Sequence, residues 1–255
     1  MHKYLKTAQL SALEKTNGGA LYLAPGIIIK IFTLIPLLFL WRVVMSSGVN
    51  IDMSAGQMLT YTYVSALLAD MLVVRTPAVG WLSEGVLQKL YSRPAPVLGQ
   101  LAAQTVGGWA PMLMMFSIPM AIIAPFLGVN LIPASPLFFL SLPLCISLGF
   151  AIDALFACLS LRLRNMSWLI SRIRAAIITL LSGSIIPIKL LPFGFAGIFK
   201  YQPFACLGGA PLTIFTGAAD VAETLLMQTA WNIILWPVAL YVFKKSQERM
   251  VSYGG

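Results

Sequence analysis

Charge is what this sequence has least of. Of its 255 residues only 8 are acidic and 17 basic, so charged side chains make up 10% of the chain, against about 25% in an ordinary soluble domain. Histidine occurs once, at His2, and neither HExxH nor GxSxG is present, so zinc protease and Ser/His hydrolase chemistry have no support. GxxxxGK[ST] is also missing, and with it any phosphate-cradling loop of that type. The three cysteines, Cys145, Cys158 and Cys206, are far apart and lack CxxC spacing. Cys145 and Cys158 sit inside apolar runs, where cysteine behaves as a small hydrophobe. Neither a disulfide framework nor a metal site is expected.

What the chain has in abundance is apolar bulk: 59% hydrophobic residues and a mean hydropathy of +0.87. A water-soluble fold cannot hide that much apolar surface, so lipid must cover it. The first apolar run, Gly26–Met45, follows a polar, charged stretch and is too long for a signal-peptide core; it reads as a retained span. The net charge of +9 belongs, in such a protein, to cytoplasmic anchors that set orientation rather than to a nucleic-acid surface.

A helix needs about 20 mostly apolar residues to cross a bilayer. Six segments qualify: Gly26–Met45, Gln57–Val74, Leu98–Phe126, Leu137–Leu161, Trp168–Pro187 and Val221–Phe243. Gly107, Gly108 and Pro111 are placed to kink the third. Lys3, Lys6 and Lys15 precede the first span, whereas the loop after it carries Asp52 and no basic residue. Arg75, Lys89 and Arg93 follow the second span, Arg162 and Arg164 the fourth, and Lys244, Lys245 and Arg249 the sixth; Val129–Ser135 is uncharged. Basic residues thus alternate with the crossings, which predicts six spans with both termini in the cytoplasm of a cell inner or plasma membrane. The link Ile188–Ala219, with Lys189 and Lys200 as basic exceptions, breaks short apolar pieces with Pro192, Pro203 and Pro211 and sets Phe193, Phe195, Phe199, Tyr201 and Phe204 between them. That pattern fits re-entrant or interfacial helices, and equally an aromatic belt at the outer face. No internal repeat of the inverted type is visible.

The cytoplasmic stretch Trp81–Arg93 carries the clearest helical amphipathicity outside the spans. At 100° per residue Leu82, Val86, Leu87, Leu90 and Tyr91 share one half, and Glu84, Gln88, Lys89, Ser92 and Arg93 the other, before Pro94 and Pro96 stop the helix. A helix lying in the headgroup layer and a helix that docks on a partner both fit it. Met1–Thr16 is helix-compatible but poorly amphipathic: Tyr4, Leu5, Ala8 and Ala12 share a face while Leu10 and Leu13 lie off it.

This layout resembles the ABC-2 type permeases, in particular their small six-span group. The matching features are the basic N-terminal segment running to Leu40-Trp41-Arg42, Ser83–Gly85 with Leu90–Pro94 as the group's Leu-x-x-Arg-Pro element, and Ser184–Pro187 with Leu190–Phe193 in the outer segment. Gln202–Phe204, Pro211, Trp231 and the basic tail ending in Gly254–Gly255 extend the match over nearly the whole chain. The Gly-rich segment Asn17–Ala24 departs from the group's pattern. The resemblance implies an all-α polytopic permease, residues 1–255 forming one transmembrane domain, with an N-terminal interface helix (1–16), a cytoplasmic coupling helix (81–93) and outer re-entrant helices (188–219). It further implies a second permease copy or a sibling permease, and separate ABC ATPase subunits that hold the ATP and magnesium, this chain needing no cofactor. Glu84, Leu87, Gln88, Leu90, Tyr91 and Arg93 would then sit in a groove on the ATPase, and the transporter would export a lipid, an amphipathic peptide or a drug-like molecule. Rival readings are an ion-coupled secondary transporter and a non-transporting assembly factor.

Charge within a bilayer costs about 2.5–3.5 kcal/mol per residue at mid-helix, which makes each instance a candidate site. Asp70 and Asp153 fall in the inner halves of spans two and four; Arg172 and Arg174 lie near the inner end of span five, two positions apart and so on different faces. Lys30 and Arg42 sit near the ends of span one, where they can snorkel. Asp70 and Asp153 suit cation, substrate or proton contact; a structural reading pairs Asp153 with Arg172 or Arg174. Asp70 has no evident partner in the sequence.

Overall fold

The computed structural model describes residues 2–17, 19–47, 53–78, 90, 95–163, 166–191 and 194–251, and these are helical with no strand among them. The helices are α1 (His2–Thr16), α2 (Ala20–Ser46), α3 (Ala55–Leu67), α4 (Ala69–Leu72), α5 (Val97–Met112), α6 (Ile118–Ile123), α7 (Phe138–Arg162), α8 (Ser167–Leu181), α9 (Phe195–Phe199), α10 (Gly209–Thr216) and α11 (Val221–Val251). A π-helical turn, Leu113–Ser117, joins α5 to α6 in one rod that ends in the 3-10 turn Ala124–Leu127. Among the described residues, four helices are long and apolar enough to cross a membrane: Leu21–Ser46, Val97–Leu127, Phe138–Arg162 and Val221–Ser246. The chain is therefore a multi-pass membrane protein by construction.

The second and fifth expected spans differ from the uninterrupted helices that the sequence suggests. Gln57–Val74 is split: α3 has 13 residues, breaks at Leu68 and resumes as the four-residue α4. Trp168–Pro187 is helical only as far as Leu181, in a 15-residue α8. In both, buried hydroxyls from neighbouring helices take over the backbone groups that the helix abandons. Conversely α2 starts at Ala20, six residues before the expected Gly26, because Gly19, at φ 70°, turns the chain directly from α1 into it.

Residue pairings fix the relative directions of the helices. Lys30 of α2 meets Asp70 of α4, and Leu34 clusters with Tyr63 and Leu67 of α3, so α2 and α3 are antiparallel. Ser117 Oγ donates to the Leu67 carbonyl at 2.7 Å and Tyr63 OH to that of Met120 at 2.6 Å, so the α5–α6 rod opposes α3. Trp109 stacks near Phe150, and Leu101 clusters with Ala157, setting α7 against α5. Tyr61 bonds to Gly183 while Arg174 bonds to Val74, so α8 opposes α3. Last, α11 runs parallel to α7: Gln228 meets Ser141, Asn232 the Leu144 carbonyl, and Trp236 meets Ser147. So α2, α5–α6 and α8 point one way, and α3–α4, α7 and α11 the other.

At the N-terminal end a face of small residues on α1 meets α5. α1 crosses α5 so closely that a Cβ on Gly107 would lie 2.1 Å from the Ala8 carbonyl oxygen, which only glycine permits. Ser11 Oγ donates to the Gln104 carbonyl at 2.8 Å and Lys15 Nζ to that of Gly108 at 3.0 Å. Leu5, Leu10 and Leu13 point outward, each about 60% exposed. Tyr4, Thr7, Ala8, Ser11 and Ala12 thus face protein, while the leucines share the outer side with Lys3, Lys6, Gln9 and Glu14, which explains why the sequence shows no ordinary amphipathic stripe. α2 is apolar on both sides, with Leu23, Leu34 and Trp41 inside and Leu21, Phe32 and Phe39 among its exposed residues. Apolar exposure on this scale is tolerated in lipid and not in water.

The link between α8 and α11 divides in two. α9 leaves Phe195 and Ile198 exposed, as a surface helix would. α10, by contrast, is buried from Gly209 to Leu212 and from Ile214 to Thr216, packed on α3 and α7. Gln57 Nε2 donates to the Thr216 carbonyl at 3.0 Å, tying the start of α3 to the end of α10. Outside, Lys200 pairs with Glu223 at 2.5 Å, and the bond to that carboxylate holds the lysine above its usual range.

Candidate functional site

Of the residues assigned to ATPase coupling, Glu84, Leu87, Gln88, Tyr91 and Arg93 lie outside the described residues. Leu90 is described and buried, clustered with Ala78, Val97, Leu101 and Phe243. Its carbonyl accepts from Gln100 Nε2 at 3.0 Å, and the same amide reaches the Ala95 carbonyl at 2.7 Å. The far end of the 79–94 link is thereby fastened to the base of α5.

The near end is fastened by a buried ion pair. Asp153 of α7 and Arg174 of α8 stand 2.9 Å apart, with side chains 1% and 6% exposed. Asp153 also accepts from the Thr76 backbone N–H at 3.0 Å and from the Thr76 hydroxyl, while Arg174 donates to the Val74 carbonyl. The chain leaving α4 has no helical partners for these groups, so the pair supplies them. Gly149 completes the fit, since a Cβ there would come within 2.7 Å of Val74. Of the two arginines offered by the sequence, Arg174 is the partner; Arg172 is exposed. Breaking one member of such a pair costs about 3–5 kcal/mol, because the other charge is left buried alone.

A second polar node sits one turn away on the same segment. Lys30 pairs with Asp70 at 2.6 Å, correcting the expectation that Asp70 lacks a partner. Lys30 is not near the end of its helix: with α2 beginning at Ala20, it lies about 15 Å in at 1.5 Å per residue. Its ammonium also stands 5.1 Å from the centre of the Phe116 ring, a cation–π distance. Phe116 and Ser117 belong to the π-helical turn, and Ser117 caps the Leu67 carbonyl that the break at Leu68 frees. Break and π-turn therefore face each other, the turn supplying the donor that the break lacks. π-turns of this kind recur at functional positions.

The end of α8 forms a third buried seam. Ser182 and Ser184 hydroxyls lie 2.8 Å apart, Ser65 Oγ donates to the Ser184 carbonyl at 2.5 Å, and Tyr61 OH donates to the Gly183 carbonyl. Gly209 N–H reaches the Ser182 carbonyl at 2.6 Å, and Gln202 Nε2 that of Leu181 at 2.7 Å. Non-helical backbone survives inside an apolar bundle only where every such group is paired. Together with Gln228, Asn232 and Trp236 of α11, these hydroxyls are what sequence reading missed. The one local signal is the i, i+4, i+8 spacing of Gln228, Asn232 and Trp236, which places three hydrogen-bonding side chains on one helix face.

Between α5, α7 and α11 lies a cavity of about 370 Å³, with Thr76 and Ala78 at one end. Among the described residues, no three His, Cys, Asp or Glu side chains gather to hold a metal ion. No family model and no curated protein matches the sequence.

Proposed function

We propose that this protein is the permease subunit of an ATP-driven exporter of the ABC-2 type, crossing the bilayer six times with both ends in the cytoplasm and moved by separate ATPase subunits. The observation that carries the reading is the anchoring of the 79–94 link at both roots. One root is held by Asp153 and Arg174 to α7 and α8, the other by Leu90 and Gln100 to the cluster shared by α5, α7 and α11. A push on that link from below reaches four helices through buried polar and apolar contacts.

Two further features support it. The six helices alternate in direction, and a parallel α7 and α11 require the chain to return between them through α8. The basic residues Arg75, Arg162, Lys244 and Lys245 all fall at the end of the bundle where the link emerges, the side that positive charge marks as cytoplasmic. In this arrangement Glu84, Leu87, Gln88, Tyr91 and Arg93 meet the ATPase, α1 runs beside the cytoplasmic half of α5, and α10 dips into the opposite end. A second permease copy or a sibling completes the path.

Affinity capture of the full chain from membranes tests the reading directly. A cytosolic ATPase recovered with the wild type and lost from the E84K/R93E double variant, with the variant still folded, is the expected result. Uptake driven by an ion gradient without nucleotide would instead make this an ion-coupled transporter, with Asp70 the coupling carboxylate. Capture of neither an ATPase nor any transport activity would leave the assembly-factor reading.

A further inference from the structure

The cavity between α5, α7 and α11 has a direction. At its deep end Ala78, Leu101, Ala157 and Phe243 are all buried, at 5% exposure or less. Its other end is formed by Pro143, which is exposed on the face of α7. From Pro143 to Ala157 the lining runs along α7 for about 21 Å at 1.5 Å per residue. That exceeds the hydrocarbon depth of one leaflet, about half of ~30 Å. The pocket is thus a blind, elongated slot open sideways to the surroundings of the bundle.

Its polar groups are already engaged within the protein. Trp236 Nε1 donates to Ser147 Oγ at 2.8 Å, and the Thr76 hydroxyl donates to Asp153 while accepting from Ala78 N–H at 3.2 Å. A buried water needs two to four free polar partners, and the slot offers none of these side chains. Small side chains, Ala102 on one wall and Ala154 and Ala157 on the other, hold the space open.

We propose that this slot is a binding site for an acyl chain of a bilayer phospholipid, which enters beside Pro143 and ends against Ala78 and Phe243. Length, blind end, sideways opening and the absence of free polar groups select a methylene chain over water, a metal or a polar solute. The chain tip would touch the cluster that also buries Leu90, so occupancy stiffens the root of the 79–94 link. The site requires only a membrane-embedded chain, and stands or falls apart from the ATPase reading.

The full chain reconstituted in phosphatidylcholine vesicles carrying a mid-chain diazirine, then irradiated and mapped by peptide mass spectrometry, tests this. Expected are adducts on Leu101, Phe150 or Trp236 besides those on lipid-facing residues such as Phe32. Ala154→Phe and, from the opposite wall, Ala102→Phe should abolish the slot adducts and leave Phe32 labelled, which reports that the chain is still in the bilayer, with an unchanged unfolding midpoint in detergent reporting the fold. Two walls are filled separately so that misfolding of one variant leaves the other decisive. Labelling restricted to lipid-facing residues, or slot adducts undiminished in the filled variants, overturns the proposal. Slot labelling by a diazirine fatty acid but not by the phospholipid overturns the assigned source.

Discussion

Two ion pairs flank α4, and they are built on different principles. Asp153–Arg174 is sealed, 1% and 6% exposed, and both members also bind the backbone of Val74 or Thr76. Lys30–Asp70 is 17% and 36% exposed and joins two side chains only. The first pair replaces hydrogen bonds that a terminated helix cannot make; the second neutralises two charges at a helix–helix contact. A sealed pair that holds backbone is a structural joint, whereas a half-exposed pair can exchange partners at little cost. That contrast assigns rigidity to the exit of α4 and adjustability to its start.

The largest effect should come from opening the sealed pair. Arg174→Met leaves Asp153 buried alone and is expected to destabilise by about 3–5 kcal/mol, read as a lowered unfolding midpoint in detergent. Adding Asp153→Leu should recover much of that loss, because no lone charge remains; failure to recover would mean that the backbone bonds to Thr76 matter more than the charge. Next in size is Ser117→Ala, which strands the Leu67 carbonyl at the helix break and should cost about 1–3 kcal/mol by the same measurement. Asp70→Asn should cost less than Arg174→Met, because the amide keeps the shape and an oxygen acceptor for Lys30, whose ammonium also faces the Phe116 ring. A loss equal to that of Arg174→Met would erase the distinction drawn between the pairs.

The smallest effect belongs to the exposed pair outside the bundle. Lys200→Met should cost less than about 1 kcal/mol. The bond to Glu223 raises the lysine above its ordinary 10.5, so its contribution is complete below that value and is lost as pH rises through the higher one. A melting series in alkaline buffer should therefore converge for wild type and variant only at the top of the pH range.

Local composition made the lipid-facing architecture legible, because runs of apolar residues and alternating basic loops depend on neighbours in sequence. The four long helices follow from it directly. Asp153 with an arginine of the next span was also within reach, since both lie at matching depth. What stayed hidden depends on distant partners. Nothing near Leu68 announces a break: no glycine or proline precedes it, and the carbonyl that it frees is satisfied by Ser117, 50 residues on. Lys30 lies near the end of the apolar run that starts at Gly26 but well inside α2, because the helix itself starts at Ala20. The unwound end of α8 carried one hint, Gly183, which adopts φ 72°, but the hydroxyls that make it tolerable come from α3. α1 was obscured for the opposite reason: small residues such as Ala8, Ser11 and Ala12 face protein while its leucines face out, so a search for a bulky apolar inner stripe finds none.

The parallel pairing of α7 with α11 bears on how the protein is made. Ser141 and Gln228, whose side chains meet in that seam, are separated by 87 residues. At roughly 5–20 residues per second, a ribosome needs several seconds to deliver the second after the first. Throughout that interval Ser141 and Ser147 sit among nascent helices without their mates, so α7 enters the bilayer before the hydroxyls of its seam are paired across it.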